Sequence, residues 1–164
     1  MSDVVIVTGE TFSRVAGVPM RKVPYKGAVE SMTDLLGGRL PFMFTDTIAV
    51  RPQLAAGKIR VLASTVEKRP SSFAEVPTLR ESGYDVVTDS MTAIFAPAGT
   101  PKPILDRLNK DFTRIVGTNE DIRNKLRELG LEPTTMTREQ FDAFVRSEIT
   151  RWADMIDKAG LQKN

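Results

Sequence analysis

The chain has 164 residues, 41% of them hydrophobic, and a net charge of +2 from 23 basic and 21 acidic side chains. That is enough apolar material for one ordinary domain or two small lobes, and it excludes wholesale disorder. There is no cysteine and no histidine, which removes disulfides, thiolate metal sites, cysteine nucleophiles, the Ser-His-Asp triad and the commonest zinc ligand.

Taken in chain order, the elements alternate in an α/β manner. Residues 8–16 read as a short helix with Phe12, Val15 and Ala16 on one face, stopped by Gly17. Residues 18–23 are expected as a strand. Residues 28–36 carry Val29, Met32, Leu35 and Leu36 at helical spacing, and Gly37-Gly38 supplies the stop. A strand over 40–44 and a short helix over 48–56 follow, with Gly57 just past the helix. Residues 59–64 read as an apolar strand buried on both faces. The polar stretch Glu67-Lys68-Arg69 is expected to be a solvated loop, followed by a short helix over 78–82, stopped by Gly83, and a strand over 90–95.

The character then becomes helical. Residues 102–116 present Ile104, Leu105, Leu108, Phe112 and Ile115 on one face. Residues 119–129 form the next expected helix, with Thr118 as its N-cap. Thr137 and Gln140 make a capping-box pattern for a last helix running to about Ala159, its apolar face Phe141, Phe144, Val145, Ile149, Trp152 and Ile156. The boundary between these regions divides the chain into an α/β part, 1–92, and a mainly helical part, 93–164. Strands joined by helices imply an open, mostly parallel sheet with ligands at the carboxyl ends of its strands.

Two such ends carry candidate chemistry. In Val23-Pro24-Tyr25-Lys26-Gly27, a lysine and a glycine lead directly into a helix. Unpaired amides and the helix dipole make such a turn favourable for an anion, although Pro/Gly turns of this kind are also plainly structural. Thr45-Asp46-Thr47 reads either as a second ligand loop or as the N-cap of the helix after it. The basic residues are dispersed, without interleaved aromatics, unlike a nucleic-acid platform. Apolar runs such as Val4-Val5-Ile6-Val7 fall far short of the roughly 20 residues of a membrane span. No basic segment followed by an apolar one opens the chain. No carboxylate pair is placed for acid–base catalysis, so an enzyme is not expected.

Several segments, in order and spacing, resemble the extracytoplasmic solute-binding receptors of tripartite tricarboxylate transporters, also called Bug or TctC-like receptors. They are Val23-Pro24-Tyr25-Lys26-Gly27, Asp34-Leu35-Leu36-Gly37-Gly38, Met43-Phe44, Ala56-Gly57-Lys58-Ile59-Arg60-Val61-Leu62-Ala63, Glu75-Val76-Pro77-Thr78 and Phe95-Ala96-Pro97-Ala98-Gly99-Thr100-Pro101. The resemblance implies a periplasmic-binding-protein type II fold, with two α/β lobes closing on a small organic carboxylate. It implies an exported, periplasmic protein that hands its solute to membrane transporter subunits, with no cofactor and no metal. It implies ligand contacts from Tyr25, Lys26, Gly27 and Ala28 on the second-lobe wall, and from Thr45 and Asp46. It further implies that the N-terminal half is missing here, with the signal peptide, most of the first lobe and a glycine-rich ligand loop. Residues 93–164 are then the segment that returns to the first lobe. The chain departs from the family at Ser2-Asp3-Val4-Val5, where a Gly/Ser/Thr-rich stretch is common. It also has Thr45 where an aspartate is usual, and Ala28 where a glycine is common. Without a sheet beneath them, the C-terminal helices are expected to bury their apolar faces by self-association, making a homo-oligomer; the alternative function is then an interaction module in place of a receptor.

Overall fold

A computed structural model describes residues 3–161. Six α-helices occur among the described residues: α1 Asp3–Ala16, α2 Ala28–Leu36, α3 Thr47–Ala55, α4 Lys102–Thr118, α5 Glu120–Glu128 and α6 Arg138–Lys158. The chain divides into two compact units, residues 3–90 with 155–161, and residues 91–154.

In the first unit, α1 begins five residues earlier than the sequence pattern places it. Val4, Val5, Ile6 and Val7 are β-branched and lower helix propensity slightly. Burial of Val7, Thr8 and Thr11 on the helix's inner face outweighs that cost. The Thr8 hydroxyl donates to the Val4 carbonyl at 2.7 Å and shares a 2.8 Å hydrogen bond with the buried Thr88 hydroxyl. The Thr88 amide in turn donates to the Thr65 carbonyl at 2.8 Å. Two remote segments are thereby tied to α1 through satisfied polar groups. α2 has the bounds its periodicity predicts. Gly38, at φ 71°, adopts the left-handed conformation that lets the chain leave the helix. The Arg39 and Leu40 amides both donate back to the Asp34 carbonyl.

The four stretches expected as strands run without a ladder. Among the described residues there is no strand, and the pairing is a single parallel bridge, Ser64 with Thr78. A strand exists only by pairing with a neighbour. Around that bridge the Ser64 amide donates to the Pro77 carbonyl, the Leu79 amide to the Ser64 carbonyl and the Thr88 amide to the Thr65 carbonyl, too few bonds to make a ladder. Residues 59–64 are also not buried on both faces. Arg60 and Leu62 face outward, Leu62 being 60% exposed, while Ile59, Val61 and Ala63 are half-buried.

The helix expected over 78–82 is a single turn. It has a complete reciprocal cap: the Thr78 amide donates to Glu81 Oε2 at 2.8 Å, and the Glu81 amide to Thr78 Oγ1 at 3.1 Å. Gly83, at φ 92°, ends it one turn later. Around this turn Phe73, Val76, Leu79 and Val86 are buried and form the core with Val7, Met32 and Val50. Glu67 and Arg69 are not simply solvated. Arg80 bonds Glu67 at 2.6 Å, and Arg69 bonds Glu81 at 2.8 Å and the Ala74 carbonyl at 3.0 Å.

The second unit is built on α4, α5 and most of α6. α4 runs two residues beyond its expected end, so Thr118 lies within it and its hydroxyl donates to the Arg114 carbonyl. The cap of α5 is consequently Asn119, whose Oδ1 accepts from the Ile122 amide at 3.1 Å. The Thr137/Gln140 capping box is present in both directions, at 2.9 and 3.2 Å. Arg138 pairs with Asp106, which also pairs with Lys102, and Asn109 Nδ2 donates to the Met136 carbonyl at 3.1 Å. Phe95 and Phe141 lie 5.8 Å apart. Trp152 is half-buried beneath the Arg151 guanidinium. Among the described residues, none from 91 to 154 is buried. Of the apolar face of α6, Phe141, Phe144, Val145, Trp152 and Ile156 are half-buried and Ile149 is exposed.

Candidate functional site

The turn before α2 is built from extended backbone. Gly27 is the N-cap of α2 at φ −159°, and lacking a side chain it offers no capping acceptor. The first-turn amides of α2 are thus uncapped from that position. Glu30, in the first turn, reaches back to accept from the Lys26 amide at 3.0 Å. The Lys26 side chain is exposed. A Cβ placed on Gly27 would meet nothing within 4 Å, so the approach to the turn is open.

Tyr25 is half-buried, and its phenol donates to Asp34 Oδ2 at 2.7 Å. The other carboxylate oxygen, Oδ1, accepts from Arg39 Nε at 2.8 Å and lies 2.6 Å from its terminal nitrogen. The Tyr25 bond, and then the Arg39 guanidinium, hold the Asp34 carboxyl below the usual carboxylate range. The same bond raises the Tyr25 phenol above its ordinary value. The sequence reading gives no site role to Asp34, which it names only within a family segment, or to Arg39. The signal that points to them is an acidic residue in the last turns of an apolar-faced helix, immediately before its glycine stop.

The second loop is positioned by aromatic contacts. Phe12 of α1 meets Phe44 edge-on at 5.7 Å and Tyr84 at 5.1 Å, and Phe42 meets Phe44 at 5.8 Å. Thr45 and Asp46 follow directly. The Asp46 carboxylate accepts from the Ala49 amide at 2.9 Å and caps α3, the structural role open to it from sequence. The second carboxylate oxygen remains on an exposed side chain. α2 and α3 are neighbours. A surface hollow of about 240 Å³ lies between them, lined by Ala28, Val29, Met32, Thr33, Leu36, Ala49 and Gln53. The two expected loops therefore lead into adjacent helices. Of the six expected contacts, Ala28 alone lines this hollow.

Among the described residues no cluster of acidic side chains is arranged to hold a metal ion, and no helix is long and apolar enough to cross a membrane. What the arrangement offers is hydrogen-bond donors and a lysine for an anion.

Residues 2–161 match the family model described as tripartite tricarboxylate transporter family receptor, and the chain belongs to that family. This is a family of periplasmic solute-binding receptors and not of enzymes. The UPF0065 protein in the gbd 5' region of Cupriavidus necator is 34% identical over 157 residues, covering 96% of this chain and 47% of that protein. The structure of R. palustris Rpa4515 with adipate matches at a TM-score of 0.81 and 34% identity, over 96% of this chain and 52% of that one. MatC from Rhodopseudomonas palustris with bound malate matches at 0.71 and 28% identity, over 93% and 53%. The backbone likeness agrees with a periplasmic-binding-protein-like α/β fold. The chain spans about half the length of these relatives.

Proposed function

We propose that this chain supplies one wall of a periplasmic receptor site for a small dicarboxylate destined for a tripartite tricarboxylate-type transporter. The observation that carries the reading is the turn at residues 24–28. There an open glycine, uncapped first-turn amides and the exposed Lys26 meet at the start of α2. Lys26 and the Gly27 and Ala28 amides hold one carboxylate, and Thr45 and Asp46 orient polar atoms of the solute. Residues 1–92 then serve as the second lobe, and residues 93–164 as the segment returning to the first. Ligands named for two structural relatives, adipate and malate, are of the class such a turn fits.

A single wall encloses little of a ligand, so affinity is expected to be weak, on the order of 1 mM. Calorimetric or NMR titration with adipate, malate and citrate tests this. Saturable weak binding that falls several-fold in Lys26→Ala supports the reading. Submicromolar affinity, or none that depends on Lys26, overturns it.

A second reading is favoured by the absence of any buried residue among the described positions 91–154. The exposed side chains Ile104, Leu108 and Phe112 of α4 and Ile149 of α6 are covered by the same helices of a second copy. The chain then acts as a self-associating module. Light scattering over a concentration series decides it: a monomer at every concentration rules this reading out.

A further inference from the structure

We infer that Asp34, braced by Arg39, is a positioning residue that locks Tyr25 and so fixes the turn carrying Lys26 and Gly27. This inference rests on the proposed carboxylate site and changes the part Tyr25 plays in it. An anionic solute is recognised by donors, and a phenol has one donor hydrogen. That hydrogen is engaged with Asp34 Oδ2 at 2.7 Å. Beyond that hydrogen a phenol oxygen can only accept, and an acceptor does not serve a carboxylate. Its phenol instead reaches from the extended segment to a residue near the far end of α2, nine positions along the chain.

Arg39 makes this brace compatible with an anion nearby. A lone carboxylate beside the turn would repel an incoming dicarboxylate. Arg39 closes on Asp34 through two nitrogens, at 2.8 and 2.6 Å, and cancels that charge. The Asp34 side chain is 26% exposed and the Arg39 side chain 67% exposed. The phenol–carboxylate bond is thus the more shielded part of the brace, and Arg39 is the outer lock.

The test is an amide-resolved NMR titration of the whole 164-residue chain with adipate. Lys26, Gly27 and Ala28 are the reporters, and the Val86 amide reports on core integrity. Tyr25→Phe and Asp34→Asn are each expected to raise the apparent Kd about tenfold. The double variant should be no weaker than Tyr25→Phe alone, because Asp34→Asn weakens the same phenol bond, trading a charged acceptor for a neutral one, and has nothing left to weaken once the phenol is gone. The Tyr25 ring signal should also ionise at lower pH in Asp34→Asn, because the bond to the carboxylate is what raises it. Should Asp34→Asn fail to fold, Tyr25→Phe alone decides. An unchanged Kd in Tyr25→Phe, or additive losses in the double variant, overturns the positioning role and leaves the carboxylate site standing. No adipate-dependent shift at residues 26–28 in the unaltered chain overturns both.

Discussion

Glu81 makes a helix cap where no helix follows. Its carboxylate accepts the Thr78 amide and the Arg69 guanidinium, and these, in that order, hold it below its ordinary range. A carboxyl with a lowered folded-state pKa stabilises the fold at pH values above its unfolded pKa of about 4.3, and this contribution is lost as pH falls through the folded value. Glu81→Gln is therefore expected to unfold at lower denaturant concentration than the parent at pH 7. The gap should begin to narrow as pH falls through about 4.3 and close once the folded-state carboxyl is protonated, as followed by circular dichroism. A gap that persists in acid would show that charge is not its origin. The Asp46 cap is legible in the sequence, whereas the Thr78–Glu81 cap emerges only in the structure. The Tyr25–Asp34 bond is not legible either, because it joins an extended segment to a helix flank and follows no helical or strand period.

The helices were the legible part of the chain. α2 and α6 each have an apolar stripe and a recognisable terminus, Gly37-Gly38 for one and Thr137 with Gln140 for the other. α1 extends five residues ahead of its sequence pattern, because tertiary burial makes its β-branched first turns helical. The strands were illegible for a different reason. Residues 18–23 or 40–44 can encode extension, but pairing depends on what lies beside them. At the junction of α4 and α5 the choice of cap turns on one residue. Asn119→Ala removes the acceptor for the Ile122 amide, and it should cost about 1 kcal/mol of local helix stability. Faster amide exchange confined to residues 120–123 would register that loss. Equal exchange in the variant would make Asn119 incidental to the start of α5.

At the scale of the molecule the two units differ in kind. Among its described residues the first has seven buried hydrophobic side chains, distributed over α1, α2, α3 and the segment around Val76. The second has ion pairs, caps and amphipathic helices, and no buried residue among those described. Its order has a calorimetric consequence. Unfolding raises heat capacity in proportion to the apolar surface newly hydrated, and a chain of 164 residues with ordinary burial would show about 2.2 kcal/mol/K. If only the first unit contributes, a dilute sample should show about 1.3 kcal/mol/K. The melting of α4 and α5 would then leave almost no trace in the baseline. A value that climbs toward the larger figure with protein concentration would mean that these helices become dry only in company.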